Sequence, residues 1–407
     1  MEYPLLLDGA TGTNLIMAGM KSDDRVADYI LNNPDVMSLL QRNYIEAGSR
    51  LLLTPTFGVN SIKYGASYEE LNIKLVALTA KTVKESGKDV MITGEMSPCG
   101  LFAEPLGNSC FNDIYNIFAQ QARVLDKAGV DAIALSTMYS LSETRIALLA
   151  VRENTDKPVI ACVTVDENGK TMSGNDVLAC VALLQSMGAA AVGLNCSTGP
   201  IEMLEQIKRI SEINTIPIIA KPNAGMDVNK YLSPEIFAFY IGELMKQGAS
   251  IVGGCCGTDP EYIKLINNEI LPMYSKEYFN STIIRNKEEH IKNETFNCAT
   301  GKNLYVLNKE VDLSEELDAQ TFIDDIFEIE RTSFDAAYLR LDTEDDVDNL
   351  IQNSYMIDIP ICISSEDHNL IDRTVREYCG TVLIDFKCEV NEEKLEYYKN
   401  YYGSLIV

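Results

Sequence analysis

Ala191-Val192-Gly193-Leu194-Asn195-Cys196, Pro217-Ile218-Ile219-Ala220-Lys221-Pro222 and Ile251-Val252-Gly253-Gly254-Cys255-Cys256 are three short apolar runs, each closing on a polar or reactive residue. Near-continuous apolar runs of this length are what parallel strands covered on both faces require. The same pattern occurs towards the N-terminus at Leu5 to Leu7, Leu51 to Thr56, Val90 to Met96, Ala132 to Thr137 and Val159 to Val165, which makes eight candidate strands. Amphipathic segments such as Asn112 to Ala128 and Ile201 to Ile213 lie between them and are long enough for crossover helices. Eight βα repeats over residues 1–274 predict a (β/α)8 TIM barrel, whose usual size is about 250 residues.

Residues 275–300 are polar and charged with few apolar positions, and read as a linker. Beyond it the alternation resumes over 301–407. Strands are expected at Asn303 to Leu307, Ala336 to Leu341, Ile359 to Ser364 and Thr381 to Phe386, with an apolar run from Ser404 to Val407. Helices are expected between them, as at Glu344 to Tyr355 and Leu370 to Tyr378. This stretch is too short for a second closed barrel of roughly 200 residues or more, so it reads as a partial, half-barrel α/β unit. Its open sheet edge must be covered, either by docking on the first barrel or by a second copy in a homo-oligomer.

Of the chain's 407 residues, 46% are hydrophobic, enough for a well-buried core. With 60 acidic against 34 basic side chains the formal charge is -26, which repels phosphate backbones and anionic lipid. Nucleic acid and membrane surfaces are therefore not expected partners. No apolar run long enough to span a bilayer is present, and Met1 to Leu7 lacks a basic leader, so the expected location is cytoplasmic. Eleven cysteines are too scattered for a disulfide framework. The only two histidines, His290 and His368, lie outside the barrel segment, so barrel chemistry must proceed without imidazole.

Active sites of such barrels form at the C-terminal strand ends, where this sequence places Asp8, Glu95, Asn195, Cys196, Asn223, Cys255 and Cys256. Strands six and eight are separated by one strand, so Cys196 can meet the Cys255-Cys256 pair at the barrel mouth. Three converging thiolates suit zinc, and three protein ligands leave a fourth position for a substrate thiol, which loses its proton on coordination. Glycines 253, 254 and 257 would let the backbone bend so that adjacent cysteines reach one ion. Spacing alone leaves zinc and plain buried thiols both open. For Cys99, Cys110, Cys162, Cys180, Cys298, Cys362, Cys379 and Cys388 the reading is a small buried hydrophobe. Asp8 and Glu95 fit a substrate site or structural capping equally.

The runs Leu7-Asp8-Gly9-Ala10-Thr11-Gly12-Thr13, Thr56-Phe57-Gly58-Val59-Asn60, Gly193-Leu194-Asn195-Cys196-Ser197, Lys221-Pro222-Asn223-Ala224-Gly225 and Gly253-Gly254-Cys255-Cys256-Gly257-Thr258 occur in order over the first 270 or so residues. Together they resemble the homocysteine S-methyltransferase family, with the arrangement most similar to the homocysteine module of cobalamin-dependent methionine synthase. The resemblance implies that Cys196, Cys255 and Cys256 bind Zn2+, that homocysteine sulfur takes the open position, and that Asp8 helps hold the amino acid portion, with Glu95, Ser136, Asn195 and Asn223 as further substrate contacts. One departure stands out. Where the family usually has a glutamate at the end of the fourth strand, this chain reads Leu135-Ser136-Thr137, and Ser136 supplies no charge for the substrate ammonium. Glu143, a turn or two on, is an acid that would compensate.

Residues 301–407 resemble the first half of the pterin-binding barrel that follows the homocysteine module. Arg340-Leu341-Asp342 and Leu383-Ile384-Asp385-Phe386 stand where polar folate ligands are expected, so folate binding is not anticipated. The expected activity is methyl transfer to homocysteine, giving methionine, from methylcobalamin on a separate corrinoid-binding protein, since the chain has no Asp-x-His-x-x-Gly pattern to ligate a corrinoid. Two alternatives keep the zinc site. One takes a small onium donor such as S-methylmethionine or betaine; the other is a module that docks a corrinoid or folate protein.

Overall fold

The computed structural model describes residues 3–196, 198–226, 230–385, 387–388 and 390–407. Eight parallel strands run β1 (Leu5–Leu6), β2 (Leu51–Leu53), β3 (Met91–Met96), β4 (Ala132–Met138), β5 (Val159–Val163), β6 (Ala191–Asn195), β7 (Ile218–Lys221) and β8 (Ala249–Val252). From β2 to β8 each strand pairs with its sequence neighbours, and β1 pairs with β8. The seam between β1 and β2 closes through a parallel bridge, Leu7 to Leu51, and the Arg50 N–H donating to Leu6 O at 2.8 Å. The chain is therefore an α/β protein built on a (β/α)8 barrel, with all eight strands falling on the expected runs.

Helices cover the outside for a local reason. In Phe111–Lys127, Ile114, Ile117, Phe118, Gln121, Ala122 and Leu125 are buried at three- and four-residue spacing, one stripe that packs on the sheet. The inside is filled by alternate strand residues: Leu5, Leu7, Leu51, Leu53, Ala134, Ile160, Cys162, Ala191, Ile219 and Ile251 form one buried cluster. A strand alternates its side chains between faces, so the next inward positions towards the C-terminal ends are Glu95, Ser136, Asn195 and Lys221.

Residues 275–300, read from sequence as a linker, fold as the helix Lys276–Asn293 and strand β9 (Thr295–Ala299). The helix rides on the surface with only Phe279 and Asn286 buried, too few apolar positions to leave a periodic signal. Asn286 anchors it, its Nδ2 donating to Ser211 O at 3.0 Å and Asn214 O at 2.8 Å. Strand β10 (Leu304–Asn308) pairs antiparallel with β9 as a hairpin and is no part of the parallel sheet expected there. The parallel sheet begins instead at β11 (Leu313–Asp318) and continues through β12 (Ala336–Arg340), β13 (Ile361–Ser364), β14 (Val382–Ile384) and β15 (Leu405–Ile406), in that order. β11 escapes the sequence reading because Glu315, Glu316 and Asp318 interrupt it. Cys298 and Leu307 of the hairpin pack with Ala336, Cys362 and Leu383 on one face of this open sheet.

The second sheet docks on the barrel through three arginines. Arg145, almost fully buried, donates to the carbonyls of Val375 and Arg376, the last turn of the helix His368–Glu377, where a cation also meets the negative end of the helix dipole. Arg376 answers with a bidentate pair to Glu153 at 2.6 and 3.0 Å. Arg152 donates to Asn400 O at 2.8 Å. The hairpin turn joins in, Gly301 O accepting from Asn175 Nδ2 at 2.5 Å and Lys302 O from Asp176 N at 2.7 Å. Among the described residues no helix is long and apolar enough to cross a membrane.

Candidate active site

The three cysteines converge. Cys196 follows β6, Cys255 and Cys256 follow β8, and their sulfur atoms all lie within 4.8 Å of one another. Strand β7 between them is the reason: Cys196 N donates to Lys221 O at 3.0 Å and Cys255 N to Pro222 O at 2.7 Å, so the two loops are tied from either side to consecutive carbonyls at the end of β7. Cys196 adopts a left-handed conformation, φ 61°, which costs a residue with a Cβ on the order of 1 kcal/mol or more. Gly257 is also left-handed, φ 83°, and a Cβ there would sit 2.4 Å from the Tyr231 ring. At Gly254 the constraint is crowding, since a Cβ would lie 2.3 Å from Thr258 Oγ1. The Cys196 and Cys256 thiols beside it, together with burial, push the Cys255 thiol well up from its ordinary range. Three thiols so placed resist ionising together unless a cation sits among them.

The loops after β1 and β8 are stitched to each other. Gly254 N donates to Asp8 O at 3.1 Å, Ala10 N to Thr258 Oγ1 at 3.2 Å, and Asn14 Nδ2 to Thr258 O at 2.9 Å. Buried Tyr44 adds a hydroxyl bond to Ala10 O at 2.8 Å.

A charged layer lies beneath the thiols. Asp8 is buried; its Oδ2 accepts from Leu53 N at 3.0 Å and its Oδ1 lies 3.4 Å from Lys221 Nζ. Burial pushes the Asp8 carboxyl up despite Lys221. Burial opposes charge on Lys221 too, but the Asp8 and Glu95 carboxylates outweigh it and hold the ammonium above the usual lysine range. Glu95, half-buried, is pushed up to about 7 by burial, with Lys221 opposing and Asp8 adding to the shift. The Ser136 hydroxyl meets the Glu95 carboxylate and favours its charged form.

The remaining expected site residues divide. Both ends of the Asn195 amide are taken by Thr137: Oδ1 accepts Thr137 N at 2.7 Å and Nδ2 donates to Thr137 Oγ1 at 2.8 Å. That pair holds Thr137 at φ 59°, a rare conformation for a β-branched residue. Asn223 Oδ1 is buried with no hydrogen-bond partner among the described residues. Glu143 is turned aside from the mouth, its Oε1 accepting Cys99 N at 2.7 Å. Ser197 and Phe386, both named in the sequence motifs, lie outside the described residues. Of the other cysteines, six are buried as expected, Cys379 is half-buried and Cys110 is exposed. Lys221 was quoted in a motif but given no role, although a lysine ending an otherwise apolar strand is itself a signal, since lysine is rarely buried unpaired. Beside the thiols, through Thr198, opens a cleft of about 560 Å³ whose walls include Asp166, Met172 and Met226.

Residues 5–270 match the family model described as homocysteine S-methyltransferase. Among curated proteins, the methionine synthase of Mycobacterium tuberculosis is 32% identical over 284 residues, 63% of this chain and 24% of that protein. The methionine synthase of Mycobacterium leprae is 31% identical over 283 residues, 63% and 23% respectively. The chain thus spans about a quarter of the length of these curated relatives. Among solved structures, the homocysteine methyltransferase MmuM from Escherichia coli, metallated form, superposes with a TM-score of 0.56 at 21% identity, over 65% of this chain and 95% of that one; its apo form gives 0.53. That likeness concerns the fold. With the match running from β1 past the thiol-bearing loop after β8, the chain belongs to the homocysteine S-methyltransferase family.

Proposed function

We propose that this chain transfers a methyl group to the thiol of homocysteine, giving methionine, with Zn2+ held by Cys196, Cys255 and Cys256. The observation that carries the reading is the sulfur cluster. Zinc–sulfur bonds of about 2.3 Å in a tetrahedron place sulfurs roughly 3.8 Å apart, so three sulfurs already within 4.8 Å need only small side-chain adjustments. A donor set of sulfur without imidazole suits that ion. When bound, zinc lowers the pKa of a coordinated substrate thiol, so that a nucleophilic thiolate exists at neutral pH.

The chain's own groups do the rest. The loops after β6 and β8 hold the three sulfurs, tied from either side to the end of β7. Asp8, Glu95 and Ser136 form the polar floor for the amino acid portion, Asn223 offers a free acceptor, and Asn195 keeps the Thr137 turn in place. The donor in this reading is a methyl-corrinoid on a separate protein, consistent with methionine synthases among the relatives. Residues 1–274 make the catalytic barrel, 275–300 the connector, and 301–407 a docked partial pterin-binding-like unit without folate chemistry. The test is metal analysis of the purified chain followed by mass-spectrometric detection of methionine from homocysteine with free methylcobalamin, S-methylmethionine or betaine in parallel. One zinc per chain and methionine from methylcobalamin are expected. Turnover with an onium donor alone would overturn the corrinoid assignment, and a zinc-free active protein would overturn the site.

A further inference from the structure

The barrel floor holds two carboxylates, Asp8 and Glu95, and one buried ammonium, Lys221. Their positions divide the work between them. Asp8 Oδ2 accepts the Leu53 amide at 3.0 Å, while Oδ1 makes no hydrogen bond among the described residues but lies in an ion pair 3.4 Å from Lys221 Nζ, and the side chain is only 4% exposed. An incoming ammonium would have to displace a buried lysine to reach it. Glu95 is different. It extends inward from β3, less buried than Asp8, where its carboxylate meets the Ser136 hydroxyl of β4 and feels Lys221 less strongly than Asp8 does. That serine stands two residues beyond inward-facing Ala134, on the same face of β4 near its C-terminal end. One ammonium serves two carboxylates and makes its ion pair with Asp8, so Glu95 is the one with room for a second cation.

We propose that Glu95, and not Asp8, pairs with the ammonium of the amino acid thiol, with Lys221 withdrawing Asp8 from that role and Ser136 aiming Glu95. Glu95 is then the residue that selects thiols bearing an ammonium over thiols without one. Lys221 and Ser136 are positioning residues. The inference rests on the homocysteine reading above.

The test uses the zinc-loaded full chain and two ligands, L-homocysteine and 4-sulfanylbutanoate, which keeps the thiol and carboxylate but lacks the amine. Calorimetric affinities give a preference ratio for each protein. In wild type the ratio should be at least about tenfold, the value of one charge-assisted hydrogen bond. Glu95→Gln should bring it close to unity, with zinc content and affinity for 4-sulfanylbutanoate kept, and Glu95→Asp should restore part of it. A ratio that survives in Glu95→Gln overturns the assignment, as does loss of both ligands in that variant with zinc retained, which would make Glu95 structural. Wild type that binds zinc but neither thiol would overturn the homocysteine reading itself, whereas a strong wild-type preference leaves that reading standing whatever Glu95→Gln does.

Discussion

Lys221 and Arg340 occupy the same kind of place, a cation ending a parallel strand, one in the barrel and one in the open sheet. The Lys221 side chain is 8% exposed and paired to buried Asp8; the Arg340 side chain is 46% exposed and turns to Asp342 at 2.9 Å and Glu366 at 3.8 Å on the surface. The difference is closure. In the barrel, β1 lies two strands round the ring from β7 and β3 lies opposite it, so a strand-end charge must find its partner inside a low-dielectric mouth, where an ion pair is strong and specific. In the five-stranded sheet the β9–β10 hairpin covers one face but no ring of strand ends surrounds Arg340, and its charge is solvated. Alternating strands and helices therefore do not make a site. A site needs the ring of strand ends that confines them.

The sharpest way to break the comparison is at the thiols, which have no counterpart in the second unit. Alanine at Cys196, Cys255 or Cys256 should abolish both zinc content and turnover; full zinc occupancy in a Cys255→Ala, Cys256→Ala double variant would remove the barrel's claim to a metal centre. Next come the two cations. Lys221→Met strands Asp8 as an unpaired buried charge and should cost about 3 to 5 kcal/mol in denaturant unfolding, while Arg340→Met should leave the midpoint unchanged. Equal losses at both would mean that closure is not what distinguishes them.

Arg145→Ala tests the joint between the two units. It leaves the Val375 and Arg376 carbonyls buried without donors and should destabilise the chain by about 2 to 3 kcal/mol, visible as an earlier transition reported by the C-terminal sheet in hydrogen exchange. A variant that unfolds like wild type would show that the units are held by other contacts. Asn195→Ala is smaller, about 1 to 2 kcal/mol, from two lost bonds to Thr137. It should weaken homocysteine binding without loss of zinc, and unchanged affinity would show that the Thr137 turn keeps its shape unaided. Last is an effect of zero. Methyltetrahydrofolate titrated into the full chain should release no heat of binding in the micromolar range, because the cleft of about 640 Å³ at the ends of β11 and β12 is open and lined by Asp318, Asp342, Asp345 and Asp346, which repel an anionic ligand; stoichiometric binding would show that an open half-barrel suffices.

Amino-acid order alone determined the barrel and its sulfur triad. Eight apolar runs separated by crossover-length helices admit few topologies, because such connections are right-handed and sequence neighbours pair, so residues ending strands six and eight must meet at one mouth. Polar surface elements were less legible. The helix Lys276–Asn293 buries two side chains and β11 carries three acids, so neither has the periodicity by which an element announces itself. Pairing was decided by tertiary structure alone. That Lys221 takes Asp8, that Ser136 takes Glu95, that Asn195 is spent on Thr137 and Glu143 on Cys99 depends on which strands and loops face one another across the mouth. Periodicity reports whether a residue points inward. Which partner it meets there is settled by register and closure, to which residues far apart along the chain contribute together.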